Sequence, residues 1–174
     1  ATKMKVGLGP RADIKLAEAV RRGIGDDFRF MVDANHCYTT SDAFEVGRAL
    51  EDLDAYWFEE PIAPEDLQGY RELRAGLNVN ISGGEAEFNR WGWRSLLESR
   101  GLDIAQPEVC ALGGISEYLR VLALCHAHFT PVVNHVWGSA VAVATNMHLL
   151  ASMPDLPGGM NPWEPMLEFD TTDN

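Results

Sequence analysis

Phe28-Arg29-Phe30-Met31-Val32-Asp33, Tyr56-Trp57-Phe58-Glu59-Glu60-Pro61 and Val79-Asn80-Ile81-Ser82-Gly83-Gly84-Glu85 are three short apolar runs, each closing on a carboxylate. Runs of this length, bounded by turn residues, read as strands. The segments between them carry a helical period. Ala43, Val46, Leu50 and Leu53 recur behind Ser41 and Asp42, which suit a helix start, and Pro64 suits a first turn ahead of Leu67, Tyr70 and Leu73. Strands alternating with helices predict βα units over a parallel sheet.

The same pattern continues outward. Upstream stands Lys3-Met4-Lys5; downstream stand Ile104-Ala105-Gln106-Pro107-Glu108, Pro131-Val132-Val133-Asn134-His135 and Asn161-Pro162-Trp163-Glu164-Pro165. Gly101 can close a helix holding Trp93, Leu96 and Leu97, and Ser116 opens one carrying Leu119, Leu122 and Ala123. Strand ends at 33, 59, 85, 108, 135 and 164 recur every 23 to 29 residues, a strand–helix repeat. Right-handed βα units wind either into an open doubly wound sheet or into a closed barrel whose strand ends surround one mouth. Polar residues at every strand end favour the (β/α)8-type TIM barrel. Seven strands can be counted where the barrel has eight, so residues 1–174 read as a single catalytic barrel domain, incomplete at its beginning and part of a larger enzyme.

Composition narrows the partners. The chain of 174 residues is 46% hydrophobic and 23% charged, ordinary for a globular domain. Its formal net charge of -12, with no basic run, argues against nucleic acid and against an anionic membrane. No stretch approaches the ~20 apolar residues of a membrane span, and the N-terminus carries no apolar signal segment. Cys37, Cys110 and Cys125 are odd in number and widely spaced, which predicts reduced thiols in a cytoplasmic protein.

An acid at one strand end is ordinarily a helix cap or a solvated loop residue. On three consecutive parallel strands, Asp33, Glu59 and Glu85 are expected to converge, and three ionised carboxylates share such a space only with a cation. Oxygen ligands without Cys or His select Mg2+, with Mn2+ possible, over zinc. Lys3 and Lys5 are two apart on a strand and point to one face. Side-by-side ammonium groups disfavour each other's protonation, so one can act as a base while the other pairs with a substrate carboxylate. His135 closes an apolar run and Glu108 the run before it; a carboxylate beside an imidazole fixes its tautomer and raises its basicity. His126, His128 and His148 fall in helical segments, whereas His36 follows a strand end and can touch substrate.

Lys-Met-Lys-Val-Gly, Met-Val-Asp-Ala-Asn, Trp-Phe-Glu-Glu-Pro, Gly-Gly-Glu, Gln-Pro-Glu-Val before Gly113-Gly114, and Asn-His-Val-Trp-Gly, in this order, resemble the mandelate racemase subgroup of the enolase superfamily. A Lys or His base working with magnesium is the chemistry known for that superfamily. The resemblance implies that Asp33, Glu59 and Glu85 are metal ligands, Lys5 a base with Lys3 as its partner, and His135 a base on the opposite face. It further implies that Glu164 bonds the substrate carboxylate and that Asn35, His36 and Trp137 line the substrate site. Glu108 stands where the subgroup carries Asp; one more methylene predicts a shifted imidazole or a rearranged backbone. An N-terminal capping domain, normal in these enzymes, has no counterpart here.

Segment His135 to Gly138 and the tail from Glu164 to Thr172 look most similar to sugar-acid cycloisomerases, which open galactaro-lactone or 3,6-anhydro-galactonate rings. The substrate expected is thus a small sugar acid or its lactone, and the assembly a homo-oligomer. Three rivals accompany this reading: an acid-sugar dehydratase, a glycosidase using Glu59 and Glu85 as acid and nucleophile, and an inactive barrel fragment.

Overall fold

The computed structural model describes residues 1–154 and 166–169. They form two compact units, Ala1–Gly83 with Ser99–Asp103, and Gly84–Glu98 with Ile104–Asn174. Among the described residues the fold is parallel α/β with five strands.

In the first unit β1 (Thr2–Lys5), β2 (Phe30–Asp33), β3 (Trp57–Glu59) and β4 (Asn80–Gly83) lie in that order, every pair parallel. The connections are α1 (Pro10–Ile24), α2 (Thr40–Asp52) and α3 (Leu67–Gly76). Alternation along the strands sorts the residues. Val32, Phe58 and Ile81, fully buried, occupy one face, while Lys3, Lys5, Met31, Asp33, Trp57 and Glu59 share the other. The register sets Lys5 against Asp33, Asp33 against Glu59 and Glu59 against Ser82. One row of polar residues thus ends four adjacent strands.

Helix starts differ in detail from expectation. The cap of α2 is Thr39, whose hydroxyl accepts from the Asp42 amide at 3.2 Å, because helical geometry begins at Thr40 and reserves the cap for the residue before. Likewise α3 starts at Leu67 behind Asp66, which accepts from the Gly69 amide at 2.9 Å; Pro64 belongs to the preceding turn.

The second unit contains α4 (Arg90–Ser99, its last residue at the boundary), β5 (Ile104–Ala105), α5 (Ile115–Ala127) and α6 (Ala140–Ser152). Gly114 rather than Ser116 occupies the N-cap of α5, and His128 lies just past its end instead of within it. The run from Pro131 to Asn134 makes isolated parallel bridges, Ala105 with Val132 and Asn134 with Leu167, rather than a full strand. Pro131 has no N–H to give a ladder; its carbonyl accepts from Ala105 at 2.9 Å. The run expected to end at Glu164 lies outside the described residues. No helix among the described residues is long and apolar enough to cross a membrane.

Candidate active site

In the first unit the strand register delivers two lysines onto two buried acids. Lys3 Nζ stands 2.6 Å from Glu59 Oε1 and 3.2 Å from Asp33 Oδ2. Lys5 Nζ donates to Asp33 Oδ2 at 2.5 Å and to Asn35 Oδ1 at 2.7 Å. Asp33 and Glu59 are wholly buried. The Trp57 indole N–H adds a bond to Glu59 Oε2 at 2.9 Å. Burial by itself would raise the Asp33 carboxyl above the usual range, yet the charge of Lys3, hydrogen bonding with Glu59 and the contact with Lys5 hold it below. Asp33 is thereby held ionised beside two lysines.

The loops after β2 and β3 are held in tight left-handed conformations. Asn35 (φ 41°), His36 (φ 64°) and Glu60 (φ 41°) occupy a region that side chains seldom adopt, and such strain collects at functional sites. The strand pairing continues beyond the strands: the Ala34 amide bonds Glu59 O at 2.9 Å, His36 bonds Glu60 O at 2.8 Å, and Glu60 bonds Ser82 O at 2.9 Å. His36 pairs through Nε2 with the buried Glu60 carboxylate. One of its two ring nitrogens thus faces a protein carboxylate. Nothing in the sequence reading singled out Glu60, although its place immediately after Glu59 was visible.

In the second unit three of the expected residues meet. His135 Nδ1 lies 2.9 Å from Glu108 Oε2, and its Nε2 lies 3.1 Å from Glu85 Oε2. Burial disfavours the imidazolium, but the bond to Glu108 and the charges of Glu85 and Glu168 outweigh it and raise the histidine above its ordinary value. Glu108 responds oppositely: its burial cost is overcome by His135 and by the Cys110 amide, so its carboxyl is held low. The longer side chain still reaches the imidazole. Gly84 (φ 118°) sets the chain ahead of Glu85, and a Cβ there would overlap the Trp93 ring. Trp137 is largely exposed, its amide 3.4 Å from Glu108 Oε2. Glu164 lies outside the described residues.

Behind His135 is a buried polar chain that the sequence reading did not contain. Tyr118 donates to Asn134 Oδ1, and Asn134 Nδ2 donates to Asn146 Oδ1 at 2.9 Å. All three side chains are buried, so the residue next to His135 is locked from two helices.

The first unit thus carries ammonium and carboxylate groups at the C-terminal ends of parallel strands, and the second a carboxylate-backed imidazole, on an α/β fold. The chain belongs to the enolase C-terminal domain-like family, whose profile matches residues 1–170. It is 40% identical over 174 residues to the D-galactarolactone cycloisomerase of Agrobacterium fabrum, a match covering 100% of this chain and 46% of that protein. The solved 3,6-anhydro-D-galactonate cycloisomerase of Zobellia galactanivorans superposes with a TM-score of 0.92 at 42% identity, covering 99% of this chain and 47% of that one. A racemase from Streptomyces coelicolor A3(2), solved with bound magnesium, gives 0.81 at 32% identity over 88% of this chain and 45% of its own. The chain thus spans about half the length of the relatives it matches.

Proposed function

We propose that this chain supplies the metal-holding and proton-transferring part of a sugar-acid cycloisomerase. One observation carries the reading: the row Lys5, Asp33, Glu59 at adjacent strand ends, with Lys3 behind it. Buried acids gathered under two lysines have little structural purpose, because a buried ion pair is a poor source of stability. They have a clear chemical one.

Asp33, Glu59 and Glu85 would hold the divalent cation, Mg2+ before Mn2+. An all-carboxylate donor set suits a hard cation, and the burial of Asp33 with its charge intact, beside the buried Glu59, fits that use. When bound, the cation offsets negative charge developing on the substrate carboxylate.

The rest falls to the chain's own side chains. A proton next to a carboxylate is released only where the resulting enediolate is stabilised, and the Lys3 ammonium is a fixed positive charge aimed into that region. Either Lys5 Nζ or His135 Nε2 accepts the α-proton as the C–H bond breaks and its electron pair enters the enediolate. That pair then expels the β ring oxygen, the C–O bond breaks, and the other residue returns a proton. Glu108 on His135 Nδ1 keeps the imidazole oriented for this exchange. The enol tautomerises to a keto acid isomeric with the starting ring. The glycosidase reading fits less well, since it leaves the buried Asp33 and the two lysines beside it without a role.

The test is product analysis of the intact gene product with a galactaro-lactone and with a 3,6-anhydro-galactonate. The expected result is an open-chain keto acid of unchanged mass, formed only with a divalent cation. Loss of water from an open-chain sugar acid would indicate the dehydratase instead. Ring opening that survives complete chelation would overturn the assignment.

A further inference from the structure

We infer that Asp13 is a positioning residue for Lys5, clamping the loop after β1 to the loop after β2. This rests on the reading of Lys5 as a proton-transferring group.

The last ladder bond of β1 runs from the Val6 amide to Asp33 O at 2.9 Å. The next three amides leave the sheet, and all three go to one carboxylate: Gly7 N to Asp13 Oδ2 at 3.2 Å, Leu8 N to Oδ1 at 3.1 Å, and Gly9 N to Oδ2 at 2.9 Å. Gathering them requires a left-handed backbone at Gly7 (φ 139°) and Gly9 (φ 107°), where a side chain would be strained. Asp13 is 1% exposed and sits in the first turn of α1, where the helix dipole favours an anion. A fourth donor comes from elsewhere: Tyr38 Oη bonds Oδ2 at 2.7 Å. Tyr38 ends the loop that begins at Ala34 and contains Asn35, the acceptor of Lys5 Nζ.

One buried carboxylate therefore fixes both the chain leaving Lys5 and the loop carrying its amide tether. The Asp33 main chain is placed differently, by its own strand between β1 and β3, although its Oδ1 also accepts from the Asn35 amide at 3.0 Å. Loss of the clamp should accordingly loosen Lys5 and leave Asp33 where it is. A misplacement of about 1 Å in a reacting group costs on the order of 10²-fold in rate.

The experiment compares Asp13→Asn, Tyr38→Phe and Lys5→Ala in the intact gene product, measuring Mg2+ affinity and stoichiometry by calorimetry and kcat and KM per cation-binding site. Tyr38→Phe keeps the ring that packs at 6.1 Å from Phe58 and removes the inter-loop bond together with the hydroxyl's contact with the neighbouring Cys37. The expected result is a kcat loss on the order of 10²-fold for Asp13→Asn and a smaller loss for Tyr38→Phe, with cation affinity and KM near parental. Parental kcat per site in both variants, with Lys5→Ala inactive, overturns the clamp alone. Parental kcat in all three overturns the role of Lys5 itself. Loss of cation binding together with activity in both clamp variants also overturns the inference, because Asp13 would then be needed to fold the unit.

Discussion

Glu108 divides its two oxygens between holding a turn and holding a base. Oε1 accepts from the Cys110 amide at 2.9 Å, and Oε2 accepts from His135 Nδ1 at 2.9 Å. The shape of the pairing was legible in the sequence, since both residues close apolar runs; the accommodation of the extra methylene was not, because it depends on the turn into Cys110. Removing the negative charge withdraws the largest influence that favours the imidazolium, so Glu108→Gln should lower the pKa of His135. If neutral His135 is the working form, the acidic limb of the pH profile of kcat/KM must move to lower pH. A limb that stays in place, or rises, would show that His135 does not set it. Asp13 escaped the sequence reading for a related reason: a carboxylate four residues past a Gly-Leu-Gly turn looks like any first-turn helix acid until its three amide partners are seen.

At the scale of elements, strands announced themselves better than helices. Phe30–Asp33, Trp57–Glu59 and Asn80–Gly83 coincide with the apolar runs that ended in acids, because a parallel strand covered on both faces is apolar throughout. The helix α6, by contrast, buries Asn146 beside Ala142 and Leu149 and exposes Val141 and Met147, so its helical period is faint. The start of α4 rests on a contact invisible to local pattern. Glu117, in α5, accepts from the Arg90 amide at 3.1 Å and from its guanidinium at 2.8 and 2.6 Å. These bonds to Arg90 hold the Glu117 carboxyl down at about 2. The stabilisation from a lowered carboxyl is present above its ordinary value of 4.5 and is lost as pH falls toward about 2. Glu117→Gln should thus reduce thermal stability at neutral pH and flatten its decline between those two values. An unchanged acid-melting curve would show that the bonds to Arg90 contribute nothing measurable, as for many surface pairs.

For the molecule as a whole, the repeat of acid-ended strands matches the family, and the register explains why Asp33 and Glu59 share a level. Two features of the site were beyond sequence reasoning: the left-handed loops at Asn35, His36 and Glu60, and the pairing of His36 with Glu60. Both arise from contacts between loops of successive βα units, which no local period encodes. The proposed chemistry turns on cation-dependent removal of an α-proton by one of Lys5 and His135, with the other returning a proton. The most direct measurement is deuterium exchange at the α-carbon of a sugar acid that lacks a β leaving group, followed by NMR in deuterated water with the intact gene product. The expected result is exchange that stops on chelation, returns with Mg2+, and falls by about 10²–10⁴-fold in Lys5→Ala or in His135→Asn. Exchange at the parental rate in both variants, or without any divalent cation, would contradict it.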